Sequence, residues 1–456
     1  MSATLTRPAR TRSRRRPFGW ADLLGPLGIG TIVAVLFLWL HNQGLASVYS
    51  GSGRTIGSLG LLTGLLSADL MLLQTFLLAR IPWVERAWGR DVLVQRHRLF
   101  GLWSFWLMVA HVALFAVERW GRNGWAAVWA VFVTDSWMLF ATAGTVMIIG
   151  VVVTSIRWAR RRLRYESWHL LHLYAYLGIG FAFPHQLVDG ADFHGPIALA
   201  FWWTLYLTAL AAVLVYRVGQ PLWRSWYHRL RVTGVVTEAP DVVSVTVHGR
   251  RLEKLRTRSG QFFTWRFLGG PGWTRGHPYT ISAAPRRDHL RVTIQVVGDG
   301  SARAAQLEPG TRVLVEGPYG TMTARQRTHP RMVLIAAGVG ITPMRALLED
   351  SPYAPGEATL IYRFREHAIF VDELNAIADK RKAELLYLPG PRRADGSWQP
   401  AGSRRDDAQA LTDLVPDLAD RDIYVCGPPA WNAAVRAALR RAGARSDQIH
   451  SEDFGW

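Results

Sequence analysis

The rhythm of hydrophobic positions in this chain changes near residue 220. Before it, six apolar stretches run on without a polar face, at roughly 24–45, 56–79, 99–117, 136–156, 168–188 and 197–218. Each is close to the roughly 20 residues that a helix needs to cross a bilayer. After it, short pieces alternate apolar and polar: Arg231-VTGVVTEA, Val242-VSVTVHG, Gln261-FFTWRFL, Leu290-RVTIQVVG and Thr311-RVLVEGPYG. Turn residues separate these pieces, and Glu316-GPYG reads as a turn that closes the set, so they predict a small antiparallel barrel. From 330 onward, continuous apolar runs alternate with helical stretches. Met332-VLIAAG, Ala358-TLIYRF, Ala383-ELLYLPG and Asp422-IYVCG are the runs, and they predict a parallel doubly wound sheet. The expected fold class is therefore multi-domain. A disordered basic tail (1–22) precedes a six-helix transmembrane bundle (23–220), an antiparallel β-barrel domain (226–326) and an α/β doubly wound domain (327–456). Within the last domain, 391–407 reads as a loose polar loop.

Charge fixes the expected topology. Arg7, Arg10, Arg12, Arg14, Arg15 and Arg16 precede the first apolar stretch, which reads as a membrane helix rather than a cleaved signal. Arg80, Arg86, Arg90, Arg96 and Arg98 lie between the second and third stretches, and Arg157, Arg160, Arg161, Arg162 and Arg164 between the fourth and fifth. The opposite loops hold few basic residues. The positive-inside rule then places both termini in the cytoplasm of a multi-pass protein of the inner or plasma membrane. The net charge of +19 arises largely from these clusters, so it argues for a lipid membrane and against nucleic acid as the partner. Mean hydropathy is only +0.07 because an apolar half is averaged with an ordinary soluble one. A single cysteine, Cys426, excludes a disulfide and a four-cysteine iron–sulfur cluster. Any electron carrier held here is haem, flavin or nicotinamide.

Two of the apolar stretches carry histidines in pairs: His97 and His111 in the third, His172 and His185 in the fifth. A histidine inside a membrane-length apolar segment is energetically costly and marks function. Fourteen helical residues rise about 21 Å, within a hydrocarbon core of about 30 Å, so each pair spans from one leaflet toward the other. Imidazole is a common axial ligand of haem iron. The pattern points to two b-type haems between the two helices, His97 with His172 on the cytoplasmic side and His111 with His185 on the outer side. Thirteen residues separate the second pair, which turns its faces about 140° apart on an ideal helix. Gly178, Gly180 and Pro184 offer places for a local adjustment. His169, one turn before His172, is an open alternative to it.

The soluble half carries nucleotide chemistry. In His277-Pro278-Tyr279-Thr280, Tyr279 is placed to lie against an isoalloxazine ring, with Thr280 and Ser282 as hydrogen-bonding groups. A glycine turn at Gly298-Asp-Gly300-Ser301 feeds a helix with Ser301 as its expected N-cap, a site suited to pyrophosphate. Gly338 and Gly340 follow the run at 332 and let backbone approach a phosphate, with Thr342 as cap and Pro343 in the first turn. Arg363 and Arg365 follow the next strand, where a basic residue favours a 2′-phosphate and so NADPH, with NADH possible. Cys426, Gly427 and Pro428 end another strand at the sheet edge where ligands of open sheets bind, and Cys426 is placed to line a nicotinamide pocket. Near the chain end, Phe454 and Trp456 are both candidates to cover a flavin face.

Taken together, these residues give the chain a resemblance to the ferric reductase and NADPH oxidase superfamily in a bacterial form. The paired histidines resemble that family's two-haem membrane domain, and His277-Pro-Tyr-Thr280 resembles its flavin motif with Tyr in place of Phe. Gly338-Val-Gly-Ile-Thr-Pro343 and Cys426-Gly-Pro428 are similar to its nicotinamide motifs, and Glu452 with Phe454 to the C-terminal motif of related flavin reductases. Trp456 departs from that motif. The resemblance implies an NAD(P)H-dependent flavocytochrome oxidoreductase carrying FAD, two b-type haems and NADPH. Its acceptor is then a small molecule on the outer side, a ferric chelate or oxygen. The alternatives are electron donation to a separate extracytoplasmic redox protein, and a transport protein with a regulatory nucleotide-binding tail.

Overall fold

The computed structural model describes residues 23–42, 44–49, 51–163, 165–190, 195–269 and 275–452, so the expected basic tail lies outside the described residues. The chain divides into two compact units between Leu210 and Ala211.

The first unit is helical. Its elements are α1 (Leu24–His41), α2 (Gly44–Val48), α3 (Ser52–Leu78), α4 (Pro82–Trp88), α5 (Arg90–Thr134), α6 (Ser136–Ser155), α7 (Arg157–Arg162), α8 (Tyr165–Asp189) and α9 (Pro196–Ala212). Among the described residues five helices are long and apolar enough to cross a membrane, not the six expected. The missing one is α8. It is a 25-residue helix that runs through Pro184, but Glu166, His169, His172, His185, Gln186 and Asp189 dilute its apolar content. α5 is also longer than the stretch expected at 99–117, and Gly124 inside it takes φ +68, a conformation costly for any residue with a Cβ. α6 starts where the side chain of Asp135 accepts from the N–H groups of Trp137 and Met138, at 2.8 and 3.2 Å.

Close approach in this unit depends on glycine. A Cβ on Gly144 of α6 would stand 2.6 Å from the carbonyl oxygen of Gly178 on α8, and one on Gly64 of α3 would stand 2.4 Å from Nδ1 of His111 on α5. Small residues let membrane helices meet backbone to backbone. The heaviest packing accordingly falls between α3 and α5 and between α6 and α8. A core of Val35, Trp39, Leu65, Leu72, Trp202 and Leu205 joins α1, α3 and α9.

The second unit begins with a π-helical turn (Val213–Gly219) and α10 (Gln220–His228), then changes to strands. Two three-stranded antiparallel sheets follow. One is β1 (Arg231–Ala239), β2 (Val242–His248) and β5 (His289–Gln295). The other is β4 (His277–Thr280), β3 (Phe262–Phe267) and β6 (Val313–Tyr319). Isolated bridges at Arg231↔Arg312 and Ile281↔Val292 link the two sheets. Their shared core includes Val245, Val247, Phe263, Trp265, Ile281, Val292 and Val315. Most of Glu316–Gly320 is not a turn, as expected, but the end of β6, because Tyr319 still pairs with Phe262 past an irregularity in register. The short α11 (Asp299–Ala302) follows β5.

The remaining strands form one parallel sheet: β7 (Arg331–Ala337), β8 (Ala358–Arg363), β9 (Glu384–Leu388), β10 (Arg421–Cys426) and β11 (Ile449–Ser451), in the order β11-β10-β7-β8-β9. Helices α12 (Ile341–Asp350), α13 (Val371–Arg381), α14 (Asp407–Leu414) and α15 (Pro429–Arg441) complete it. β8 and β10 are buried at every position, as both-face coverage of a parallel sheet requires. The loop at 391–407 is not loose. Trp398 is 1% exposed in the core beneath it, and its ring N–H donates to the carbonyl of Asp407 at 3.1 Å.

Charged side chains tie the antiparallel sheets to the parallel one. Arg291 of β5 donates twice to Glu373 of α13, at 2.7 and 2.9 Å. Arg345 of α12 reaches Glu373, Glu349 and the carbonyl of Ser282, and Glu349 accepts from the N–H of Ala284 at 2.7 Å. Burial would push the Glu373 carboxyl up, but the hydrogen bonds from Arg291 and the charge of Arg345 outweigh it and hold it below its usual range. A carboxylate with a depressed folded pKa stabilises the fold above its unfolded pKa, and that stabilisation is lost as pH falls toward the folded value. Tm is therefore expected to drop as pH falls below about 4. Glu373→Gln should lower Tm at pH 7 and flatten this acid slope; calorimetry showing the wild-type slope unchanged in the variant would contradict the linkage.

Candidate functional site

The four candidate histidines of the first unit come together as two pairs. The rings of His97 and His172 lie 5.9 Å apart between centroids and cross at 66°. Those of His111 and His185 lie 6.4 Å apart at 45°. The helices that carry them are not close-packed neighbours, since α5 packs on α3 and α8 on α6. Three of the four rings are oriented from behind. Nδ1 of His111 lies 2.8 Å from the carbonyl oxygen of Gly60, so Nδ1 carries the proton and Nε2 keeps its lone pair. Nδ1 of His97 lies 3.4 Å from the carbonyl of Gln74, and Nδ1 of His172 lies 3.3 Å from the hydroxyl of Ser155. The same hydroxyl accepts from the ring N–H of Trp168 at 3.2 Å, and the Trp168 ring lies 5.1 Å from that of His172. The ring that faces His97 is therefore His172; His169 instead meets Trp168, 6.4 Å away between centroids. Asp69 of α3 is wholly buried and accepts from Thr31 of α1 at 3.2 Å.

In the second unit the His277–Thr280 segment is β4. Its partner β3 sets Tyr279 opposite Phe263 and His277 opposite Trp265, with the Trp265 ring N–H donating to the Tyr279 carbonyl at 3.0 Å. The Tyr279 ring is half-buried and stacks on His277 at 5.9 Å and 18°. Burial pushes its hydroxyl up to about 12, so it stays protonated at neutral pH. Pro278 pairs with Thr264, and Thr280 is buried. Ser282 is placed differently from expectation. It is wholly buried, and its hydroxyl accepts from Thr293 at 2.7 Å and from Arg291 at 3.2 Å, so it holds the strands together.

Ser301 is also not an N-cap. Gly298 occupies that position, while Ser301 sits in the first turn and its hydroxyl accepts from the N–H groups of Val297 and Gly298 at 2.9 and 3.1 Å. Asp-Gly300-Ser lies in α11, a helix of only four residues. Glu452 holds the far end of the chain against this subdomain, accepting from the N–H groups of Thr321 and Met322 at 2.5 and 3.2 Å. Phe454 and Trp456 lie outside the described residues.

The order in which strands are added to the parallel sheet reverses between β7 and β10, and ligands of such sheets bind outside the carboxyl ends of the strands at that switch point. Both expected loops meet there. Gly338–Gly340 follows β7, and Cys426-Gly427-Pro428 ends β10 and starts α15. A Cβ on Gly340 would stand 2.2 Å from the carbonyl oxygen of Cys426, and one on Gly427 would stand 2.7 Å from the Trp431 ring. The two loops can touch because Gly340 has no Cβ, and Gly427 in turn makes room for Trp431. Thr342 does not cap α12: Gly340 is the N-cap, without a side-chain hydrogen bond, and Thr342 and Pro343 are buried in the first turn. Cys426 is 2% exposed at the sheet edge.

The two arginines after β8 part company. Arg363 is buried, and its guanidinium donates to the carbonyls of Phe364, Leu388 and Pro391 at 2.7, 2.9 and 2.8 Å. It ties β8 to the end of β9, so it does not fit the expected 2′-phosphate role. The side chain of Arg365 is 80% exposed. What the sequence reading missed is the Arg291–Glu373–Arg345–Glu349 network. Its only local signal is the Arg345/Glu349 spacing on one helix face.

Comparison with known proteins follows the same division. Residues 63–183 match the family described as "Ferric reductase like transmembrane component". That span includes His97, His111 and His172 and stops two residues short of His185. Residues 334–437 match "Oxidoreductase NAD-binding domain". Over 237 residues, 49% of this chain, the sequence is 31% identical to the ferredoxin reductase component of 3-ketosteroid-9-alpha-monooxygenase from Mycolicibacterium smegmatis and covers 65% of it. It is 28% identical over 246 residues, 51% of this chain, to the glycine betaine monooxygenase reductase subunit of Chromohalobacter salexigens and covers 66% of that protein. Among solved structures, a flavohem-like FAD/NAD-binding domain of nitric oxide dioxygenase from Vibrio cholerae aligns with a TM-score of 0.40 at 20% identity, over 50% of this chain and 98% of that one.

Proposed function

We propose, from a ferric-reductase-like transmembrane domain joined in one chain to an oxidoreductase NAD-binding domain, that this membrane protein carries electrons outward. They pass from cytosolic NADPH via FAD and two b-type haems to an acceptor on the outer side. The observation that carries the reading is the double pairing of histidines. A bond of about 2 Å from imidazole nitrogen to metal, plus roughly 1 Å from that nitrogen to its ring centre, sets two rings across one ion about 6 Å apart. The pairs stand at 5.9 and 6.4 Å, between helices that pack on others rather than on each other. His97 and His172 would hold the inner haem, and His111 and His185 the outer. Haem supplies one-electron chemistry, and FAD supplies the conversion of a two-electron donor to one-electron steps.

The chain's own residues do the rest. The Gly60 and Gln74 carbonyls and the Ser155 hydroxyl orient imidazoles from behind, as partners of metal-bound histidines commonly do. α8 crosses the membrane as the sixth helix, with His172 and His185 turned to the cofactors. The two sheets of the second unit form the FAD barrel, with His277, Pro278, Tyr279 and Thr280 along the flavin and Gly300 and Ser301 near its phosphates. Gly338, Gly340, Thr342 and Pro343 take the nicotinamide nucleotide's phosphates, and Cys426, Gly427 and Pro428 border its ring. The aromatic cover of the flavin face comes from Phe454 or Trp456. Arg365, not Arg363, meets the 2′-phosphate. Both termini are cytoplasmic in an inner or plasma membrane, by the arginine pattern. The acceptor is a ferric chelate, or oxygen reduced to superoxide or peroxide. A second reading is electron delivery to a separate extracytoplasmic redox protein; similarity to chains named as reductase components favours it.

The histidine roles are tested by spectroscopy. His111→Ala or His185→Ala should remove one of two haems per chain and leave flavin reduction by NADPH at its wild-type rate; two haems in either variant would reject the pairing. The arginines separate by two readouts. Arg365→Ala should raise KM for NADPH about tenfold and leave that for NADH unchanged, the worth of one charge-assisted phosphate contact. Arg363→Ala should lower Tm by several degrees, since it removes three charge-assisted hydrogen bonds that tie the end of β8 to β9 and to Pro391. A selective NADPH defect in Arg363→Ala at unchanged Tm would reverse the assignment.

A further inference from the structure

The last apolar helix continues beyond what a bilayer requires. α9 runs through the π-helical turn into α10, and the run Pro196–His228 is 33 residues long. At about 1.5 Å per residue that is about 50 Å, against a hydrocarbon core of about 30 Å. Roughly its last dozen residues therefore pass into the headgroup layer. This segment is two-faced. Ser225 and His228 are buried, whereas Leu222, Trp223 and Trp226 are 57%, 59% and 64% exposed. The Trp223 and Trp226 rings lie 5.2 Å apart, and Trp223 stacks on Tyr227 at 5.8 Å. Beside this face, the Tyr227 hydroxyl accepts from Nη1 of Arg251 at 3.0 Å and from Nζ of Lys254 at 2.9 Å. Two cations thus converge on one neutral oxygen, an arrangement that repels unless an anion joins it. Among the described residues neither cation has a carboxylate at salt-bridge distance, although Glu253 lies nearby.

We propose that Tyr227, Arg251 and Lys254 form a site for the phosphate of an anionic phospholipid headgroup, with the acyl chains along Leu222, Trp223 and Trp226. Convergent cations recognise the phosphate, as juxtamembrane basic residues do at anionic bilayers. The exposed tryptophans select a lipid over a soluble phosphate, because amphipathic rings favour the membrane interface. The site rests on reading Pro196–His228 as a membrane helix; that reading fails separately, if the full chain stays in solution without detergent.

Native mass spectrometry of the solubilised full chain tests the site with phosphatidylglycerol, phosphatidylcholine and inorganic phosphate as probes. Phosphatidylglycerol should bind at least tenfold more tightly than phosphatidylcholine, and inorganic phosphate should displace it poorly. Arg251→Gln with Lys254→Gln should weaken phosphatidylglycerol about thirtyfold, about 2 kcal/mol at about 1.4 kcal/mol per tenfold. Lys254→Arg, which keeps the charge, should retain binding with normal flavin content. Unchanged binding in the double variant would overturn the proposal. So would loss in Lys254→Arg equal to that of the double variant, and inorganic phosphate competing on equal terms would make the site one for a soluble anion instead.

Discussion

A histidine in a membrane helix has to be given a partner, because hydrocarbon offers none. In this protein that constraint is met twice, by the same two helices and at two depths. His97 faces His172 and His111 faces His185, and backbone carbonyls or a serine hydroxyl stand behind three of the four rings. Much of the first unit follows from keeping these rings opposed. Gly64 lets α3 press against the back of His111, and Gly144 lets α6 lie against α8. α5 packs on α3 and α8 on α6, and the histidine rings of α5 and α8 face one another. A larger residue at either glycine would move a histidine and not merely loosen a contact.

The second unit solves a different problem, which is to bring two nucleotides to one place on rigid supports. Close approach is again the device, with Gly340 against the carbonyl of Cys426 and Gly427 against Trp431. Both loops sit at the ends of central strands, β10 buried throughout and β7 at every position but its first, so their positions are set by the core. Arg291, Arg345, Glu349 and Glu373 then fix the antiparallel sheets against the parallel one. Arg363 does similar work within the parallel sheet. Arginines that the sequence places near a nucleotide site are thus divided between one that holds the scaffold, Arg363, and one left exposed, Arg365.

This division explains what could be read beforehand. Strands β1 to β3 and β5 to β10 follow from alternation and from continuous apolar runs, and the histidine pairs from spacing alone. The three-residue β11 gives no periodic signal. α8 reads as membrane-length but is less apolar than a free-standing span, because its three histidines and its other polar residues dilute it. Ser282, Ser301 and Thr342 misled for one reason. Local sequence shows that a hydroxyl lies near a turn, but whether it faces a ligand, a neighbouring strand or a helix terminus depends on contacts distant in sequence. Arg363 is the same case, since its three carbonyl partners include Leu388 and Pro391, far along the chain.

The central claim is that electrons cross the membrane through this one chain, and the most direct measurement separates donor from acceptor by a bilayer. The purified protein, loaded with haem and FAD, is reconstituted in liposomes with ferricyanide trapped inside, and NADPH is added outside. The account predicts reduction of the trapped ferricyanide, abolished by His111→Ala while external flavin reduction continues. Reduction only when ferricyanide and NADPH share a compartment would contradict it.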